Sequence, residues 1–281
     1  MPTATVAPLA EATRKISRKT PLGAALSSKQ WEGVPAQIKE ACQFSAKVES
    51  ERLMAVVQDK LEKSIGMVAE KVRAGSALVD RDSFIADVQA TAQSLGIETT
   101  GGQYKGTIRD IQSVPRLNLI FEMQRQRAFG YARWKVENDP DAMAEAPAYR
   151  FERVEDRDQP REDWAERWQA AADSVGNEGV ASGEMVALKT SPIWAALSRF
   201  GTPWPPFDYM SGMGVTDVFR EDAVALGLIE QGDEVEPAED APFTDGMEAS
   251  VAGLDPAAVK RVLASFKGKL DQEGDALKWT A

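Results

Sequence analysis

The sequence contains no histidine and a single cysteine, Cys42, among its 281 residues. The absence of histidine excludes Ser-His-Asp and Cys-His catalytic groups, and it removes the usual general base at neutral pH. One thiolate can neither complete a tetrahedral zinc shell nor form a disulfide within the chain. Carboxylate, lysine or tyrosine chemistry and an oxygen-ligand metal site remain open, as does a protein with no chemistry of its own.

Long apolar runs are also absent, since uninterrupted apolar stretches extend over only a few residues. No segment is therefore expected to span a membrane, and no membrane partner is predicted. Residues 1–12 lack the apolar segment of a secretory signal, so none is expected. Apolar residues make up 43% and charged residues 27% of the chain, values typical of a globular protein of one or two domains.

Charge is distributed unevenly, although the formal net value is −11. In segment 1–30 a single acidic residue, Glu11, faces five basic ones: Arg14, Lys15, Arg18, Lys19 and Lys29. From residue 231 onwards, eleven acidic residues outnumber five basic ones. This pattern predicts a basic flexible arm over 1–30 and an acidic linker over 230–253, each a candidate interaction segment. Solvated segments without a partner explain the same pattern.

The spacing of apolar residues indicates an α+β fold that is mostly helical. Helical spacing recurs over 51–71, 82–95, 116–136 and 162–175, and residues 149–154 alternate aromatic and charged side chains as a strand does. We therefore predict a helical domain over 31–136, followed by a small α+β module over 137–229.

A terminal helix is predicted over 254–281, tethered by the acidic linker. Its apolar stripe consists of Val259, Val262, Leu263 and Phe266. Docking of this stripe on another chain and folding back onto its own domain account for the pattern equally well.

Few residues offer chemistry. Carboxylates are concentrated in 152–163 and 233–245, but both stretches are polar and rich in turns, which favours solvated faces. A carboxylate-dependent hydrolase remains an alternative and would require a buried acidic pair with a raised pKa. Cys42 lies in a helical-looking stretch and is predicted to be buried and inert. No metal or cofactor is predicted, and no enzyme activity is expected.

Four tryptophans, Trp164, Trp168, Trp194 and Trp204, lie in the C-terminal half of the chain. Interleaved with arginines, they are able to stack on bases or sugars. The favoured interpretation is that they form the core of a small domain with few aliphatic residues.

Several segments in a fixed order resemble the Mu F-like phage head morphogenesis family of minor head proteins. They are the helix Leu119-Ile-Phe-Glu-Met-Gln-Arg-Gln-Arg-Ala-Phe-Gly-Tyr-Ala-Arg-Trp134, the strand Tyr149-Arg-Phe151, and the closing segments Ser191-Pro-Ile-Trp194, Pro203-Trp-Pro-Pro-Phe207 and Ser211-Gly-Met213. The resemblance covers about 108–229. The positions it marks as structural are Trp134, Tyr149, Trp194, Trp204, Pro205, Pro206, Phe207 and Gly212.

The resemblance implies a structural minor head protein of a tailed phage or prophage, acting in capsid assembly at or near the portal vertex and present in the virion. Its expected partners are the portal or other head proteins. Many family members carry a histidine near the position of Asp163 and a Cys-Arg-Cys after the Pro-Pro segment, where this chain continues from Phe207 to Asp208. These departures favour a structural role over an enzymatic one.

A DNA-associated internal head protein, which accompanies genome packaging or ejection, is the alternative. It would make weak DNA contact through the arm at Arg14, Lys15, Arg18 and Lys19.

Overall fold

The structure is a computed structural model that describes residues 6–73, 81–98, 102–239, 248–254, 256–266 and 268–280. It is 47% helical and 14% strand, so the predicted class, an α+β fold that is mostly helical, is confirmed. Within these residues, no helix has both the length and the apolar character needed to cross a bilayer.

The regular elements are mostly short apart from two long helices. The described α-helices are α1 (Val6–Ser17), α2 (Ser28–Glu32), α3 (Ala36–Ala41), α4 (Glu51–Arg73), α5 (Arg81–Ser94), α6 (Val114–Glu137), α7 (Pro140–Glu145), α8 (Trp164–Ser174), α9 (Ile193–Leu197), α10 (Arg220–Ala225) and α11 (Pro256–Ser265). The strands are β1 (Thr20–Leu22), β2 (Cys42–Phe44), β3 (Ala148–Arg153), β4 (Val186–Leu188), β5 (Met213–Val218), β6 (Glu248–Ser250), β7 (Leu270–Glu273) and β8 (Ala276–Trp279).

The chain divides into two compact units. The first unit comprises Met1–Ala128 together with Ala241–Ala281, and the second comprises Phe129–Asp240. The division differs from the predicted boundaries, because it falls within α6 and because the last segment of the chain belongs with the first.

The predicted basic arm over 1–30 is part of the first unit. Helix α1 packs against α4, and β1 pairs in parallel with β2 so that Thr20 lies opposite Cys42. Ile16 is fully buried. Within the described residues 6–30, apolar side chains such as Ile16 and Leu22 are buried in the protein, which the charge pattern alone does not predict.

The segment 254–281 also differs from its prediction, because only α11 is helical. Gly268 has a φ of +82°, outside the helical region, and β7 and β8 follow as an antiparallel hairpin. With β6 they form a three-stranded sheet in the order β6-β8-β7. Of the predicted linker, 240–247 lies outside the described residues, 230–239 carries neither helix nor strand, and β6 occupies part of the remainder.

One apolar core joins the two stretches of the first unit. It contains Leu22, Ile38 and Cys42 from the N-terminal stretch and Val259, Val262, Phe266, Leu277 and Trp279 from the C-terminal stretch. The Trp31 ring stacks on Phe44 with centroids 4.0 Å apart, and Phe266 lies 6.3 Å from Trp31. Contacts between the two ends of the sequence therefore build this unit.

The second unit is built on an antiparallel sheet in the order β4-β3-β5. Along β3, Tyr149 and Phe151 face an aromatic cluster, and Ala148 faces a second, aliphatic cluster. Helices α8 and α9 supply Trp164, Trp168 and Trp194 to the aromatic cluster. These tryptophans are core residues, as the favoured interpretation of the sequence predicts.

Candidate functional sites

The loop around Trp204 is fixed to the second half of α6. The Trp204 ring centroid lies 5.0 Å from that of Trp134 and 5.1 Å from that of Tyr131. Gly130 faces Pro205 so closely that a Cβ atom there would overlap the Pro205 carbonyl oxygen. Glycine at this position allows the helix and loop backbones to touch. Pro206, which follows through a cis peptide bond, is buried.

Tyr149 connects α6 to the sheet through a hydrogen bond. Its hydroxyl donates to Glu137 Oε2 at 2.5 Å, and Arg133 Nε pairs with Glu137 Oε1 at 2.6 Å. Lys189 lies over the Tyr149 ring at 4.7 Å and pairs with Asp217 at 2.8 Å. Burial and the adjacent Glu137 raise the pKa of Tyr149 above its usual range. The phenol therefore stays protonated as a donor, which suits a structural tie.

The remaining positions of the resemblance lie in the same unit. Trp194 is fully buried, donates from its indole nitrogen to the Leu188 carbonyl at 2.7 Å and lies 5.8 Å from the Phe207 ring. Gly212 has a φ of +71°, and a Cβ atom there would overlap the Glu155 carbonyl oxygen. All eight positions thus contribute to the packing of the second unit.

Of the four arm residues predicted to interact, two are at the surface and two are buried. Arg14 is exposed and pairs with Glu11 at 2.6 Å, and Arg18 is exposed. Lys15 and Lys19 are each only 4% exposed. The four predicted residues therefore do not form one exposed cationic patch, because only Arg14 and Arg18 reach the surface.

The apolar stripe of α11 is covered by the protein itself. Val259 and Val262 are buried, Phe266 is fully buried, and Leu263 packs against the same core from a partly buried position. Folding back, one of the two explanations left open by the sequence, accounts for this stripe.

A buried charge cluster in the first unit was not predicted from the sequence. The Glu40 carboxylate, 2% exposed, pairs with Lys15 at 2.6 Å and with Arg127. Lys19 donates to Gln124 Oε1 at 3.1 Å. Burial, followed by the nearby charges of Arg127 and Lys15, lowers the pKa of Lys19 well below its ordinary value. Lys15 comes from α1, Glu40 from α3 and Arg127 from α6, and Lys19 follows α1, so no local sequence motif predicts the cluster.

The pKa of Lys39, next to Glu40 in α3, is also lowered. Burial and then Arg127 lower the pKa of Lys39 to about 8, against the opposing influence of Glu32. Cations thus outnumber carboxylates in this interior, and a lysine gives up its charge more readily than an arginine.

A second cluster, hereafter the Asp208 arginine cluster, lies in the second unit. Asp208, 3% exposed, accepts from Arg161 Nη1 at 2.6 Å and from Arg167 Nη1 at 3.0 Å, both through Oδ2. Arg199 Nη1 lies 3.6 Å from Oδ1. Arg161 lies in the stretch 152–163, for which the sequence favours a solvated face, and Arg167 lies in the predicted helix over 162–175. The one sequence feature that points to the cluster is Asp208 itself, a lone carboxylate directly after the Pro- and aromatic-rich segment that ends at Phe207.

The described residues show little of the geometry that catalysis requires. Burial raises the pKa of the Cys42 thiol to about 12, which leaves the nucleophilic thiolate scarce at neutral pH. In the part of the chain that the structure describes, no group of three or more acidic or cysteine side chains is placed to hold a metal ion. The buried carboxylates of Glu40 and Asp208 face cations, whereas the hydrolase alternative requires a carboxylate facing another carboxylate.

Comparisons of the chain with protein-family models, with curated proteins and with solved structures return no match in any of the three. The resemblance to Mu F-like head proteins therefore depends on the motif residues alone.

Proposed function

We propose that the protein is a structural minor head protein of a tailed phage or prophage, which acts in capsid assembly at or near the portal vertex and is carried in the virion. The observation that supports the proposal is the packing of the resembling helix 119–134 against the resembling segment 203–207, which is far away in sequence, together with the bond between Tyr149 and the end of the same helix α6. Gly130 contacts Pro205, Trp134 contacts Trp204, and Tyr149 is bonded to Glu137. Residues that make such contacts hold helix α6, the loop around Trp204 and the sheet together as one rigid module.

A rigid module without an evident reaction centre suits assembly. Docking on a portal or another head protein costs less conformational entropy when the docking unit is already ordered. The backbone contact at Gly130 and the aromatic contacts around it provide such order in the second unit.

The test is deletion of the gene from the phage or prophage genome that encodes it. We expect fewer DNA-filled heads by electron microscopy after induction, and we expect the wild-type protein to sediment with purified heads. Complementation with Gly66→Ala should restore filled heads, because a Cβ at Gly66 meets no neighbour, whereas Gly130→Ala should not. Normal heads in the deletion strain, with no protein in wild-type heads, would contradict the proposal.

The alternative of a DNA-associated head protein loses part of its basis. It relied on four arm cations, of which Lys15 and Lys19 are buried. It predicts salt-sensitive DNA binding that weakens when Arg14 and Arg18 are changed to glutamine. Binding that is absent, or unaffected by these changes, would remove this alternative.

A further inference from the structure

We propose that an exposed apolar and basic patch on the first unit is a docking surface for a second copy of this chain, and that the acidic segment 230–239 of that copy occupies it. The patch, hereafter the 105–116 patch, is carried by the loop between α5 and α6 and by the first turn of α6. The inference concerns the purified chain and does not depend on the role in head assembly.

The 105–116 patch exposes two aliphatic side chains. Ile108 is 49% exposed and Val114 is 51% exposed. The Ser113 hydroxyl donates to the Thr107 carbonyl at 2.6 Å, and Arg116 Nη1 donates to the Ile108 carbonyl at 3.2 Å. Because these bonds hold the two ends of the patch together, Ile108 and Val114 lie in one small area of the surface. Grouped apolar side chains at a surface, unlike single ones, are typical of contact sites.

The loop that carries the patch is fixed in place although it has little regular secondary structure. The Asp110 carboxylate, at 3% exposure, accepts from the backbone amides of Gly106 and Gln112 at 2.9 and 3.2 Å. Arg116 Nη2 donates to Ser45 Oγ at 2.7 Å. Docking on a loop that is already ordered costs less conformational entropy.

The charge of the patch is opposite in sign to that of the whole chain. Lys105, Arg109 and Arg116 are basic, and the single acidic residue of 102–121, Asp110, is buried. The whole chain has a formal charge of −11. A partner that fits this patch offers carboxylates together with apolar atoms, since complementary charges set the orientation of a contact and suppress wrong partners.

The segment 230–239 of the second unit, hereafter the acidic strap, offers both. It contains no basic residue, and its five acidic residues are all exposed: Glu230, Asp233, Glu234, Glu236 and Glu239. Between them lie Val235, Pro237 and Ala238, which are partly exposed. The Asn138 side chain holds the strap through two bonds to the Ala238 backbone, at 2.5 and 2.9 Å.

Each copy of the chain thus carries a patch and a strap that complement each other in charge and in apolar character, which selects a second copy as the occupant. The two surfaces differ, so the contact between a patch and a strap is heterologous. A strap this short buries less area than a standard interface. We therefore expect weak association, with a dissociation constant of about 10–100 µM.

The test is sedimentation velocity of the full-length protein at low salt, over about 1–200 µM. We expect association that grows with concentration and weakens severalfold at high salt, which screens exposed charges. Ile108→Asp places an anion opposite the strap and should weaken the association by about tenfold or more. Val154→Asp is the matched control, because Val154 is 51% exposed and lies in the second unit, outside the strap.

A triple variant, Glu234→Gln with Glu236→Gln and Glu239→Gln, tests the strap. It should associate about tenfold more weakly or less, although a smaller net charge by itself favours non-specific association. The control triple variant is Asp156→Asn with Asp158→Asn and Glu162→Gln, which removes the same charge from exposed positions elsewhere and should associate like the wild type.

Mixing the Ile108→Asp protein with the triple strap variant identifies the two partners. One protein keeps its strap and the other keeps its patch, so the mixture should form a one-to-one complex that neither forms alone. Far-UV circular dichroism checks that each variant is folded. A wild-type protein that stays monomeric over the whole range would overturn the proposal, as would a mixture that stays monomeric or an equal loss of association in the two controls.

Discussion

Glu40 and Asp208 are two buried carboxylates that each pair with more than one cation, but the cations around them differ in burial. Around Glu40 the paired cations are themselves buried, since Lys15 is 4% and Arg127 is 9% exposed. Around Asp208 the cations are arginines that reach solvent. In the first case burial lowers the pKa of Lys39 to about 8 and that of Lys19 well below its ordinary value, whereas in the second the arginine side chains stay partly exposed.

Replacing Glu40 should strongly destabilise the first unit. Glu40→Gln removes the carboxylate that pairs with the buried Lys15 and Arg127, and breaking a buried pair costs about 3–5 kcal/mol. Opening of this unit exposes Cys42, so the reaction of Cys42 with a thiol reagent in native buffer should accelerate by about two orders of magnitude or more. Glu184→Gln, which breaks the exposed pair with Arg150, should leave that rate nearly unchanged.

A single methyl group at Gly130 should destabilise the second unit. Alanine normally stabilises a helix relative to glycine by about 1 kcal/mol, but here its Cβ would overlap the Pro205 carbonyl oxygen. We expect Gly130→Ala to lower the free energy of unfolding by about 1–3 kcal/mol, measured by urea denaturation with tryptophan fluorescence. Gly66→Ala in α4, with open space at its Cβ, should be neutral or stabilising. Equal effects of the two substitutions would refute the close contact.

At the scale of elements, the sequence predicts those that are long or strictly periodic. Helices α4, α5 and α6 and strand β3 lie close to their predicted positions, because apolar spacing specifies both the element and its buried face. Strands β1, β2, β7 and β8 have three or four residues each, too few to show a period. Their existence depends on partners that are distant in sequence, as the pairing of Thr20 with Cys42 illustrates.

The candidate sites, too, are predictable from the sequence only where they do not depend on partners distant in the chain. The Gly130 contact lies within a segment that the resemblance marked, although the sequence does not reveal its partner Pro205. The charge clusters were missed, because residues that look solvated in sequence converge only through tertiary packing. Arg161 and Arg199, for example, meet at Asp208, although Arg161 lies in the loop before α8 and Arg199 in the loop after α9.

Helix α11 should be indispensable to the first unit. Phe266 is fully buried, and its truncation to alanine should cost about 3–5 kcal/mol. The expected readout is faster reaction of Cys42 with a thiol reagent, since both residues belong to one core. Leu254→Ala, at a site 36% exposed, serves as the control and should have little effect. Unchanged protection of Cys42 in Phe266→Ala would show that the helix does not close this core.

At the scale of the whole molecule, the buried lysines make stability depend on pH in an unusual direction. Unfolded lysines titrate near 10.5, whereas the pKa of folded Lys39 is about 8 and that of Lys19 is lowered well below 10.5. Between these values the unfolded state binds more protons, so stability rises with pH. Cys42 acts in the opposite direction above about pH 9, because its pKa is raised from 9.0 to about 12.

We therefore expect the first unit to gain roughly 1–3 kcal/mol of stability between about pH 7 and pH 9. Urea denaturation followed by circular dichroism at several pH values measures this gain. A double variant, Lys19→Met with Lys39→Met, removes the groups that titrate and should flatten the profile. A wild-type profile that is flat or falls over this range would contradict the buried positions of the two lysines.

The discontinuous first unit also has a consequence for biosynthesis. A ribosome adds residues in order, so the second unit, Phe129–Asp240, is synthesised before α11. The core of the first unit stays incomplete, with Leu22, Ile38 and Cys42 exposed, until Val259 and Phe266 have been synthesised. Chains that end before α11 and have been released from the ribosome should therefore bind general chaperones through their first hundred or so residues, whereas their second unit should be native.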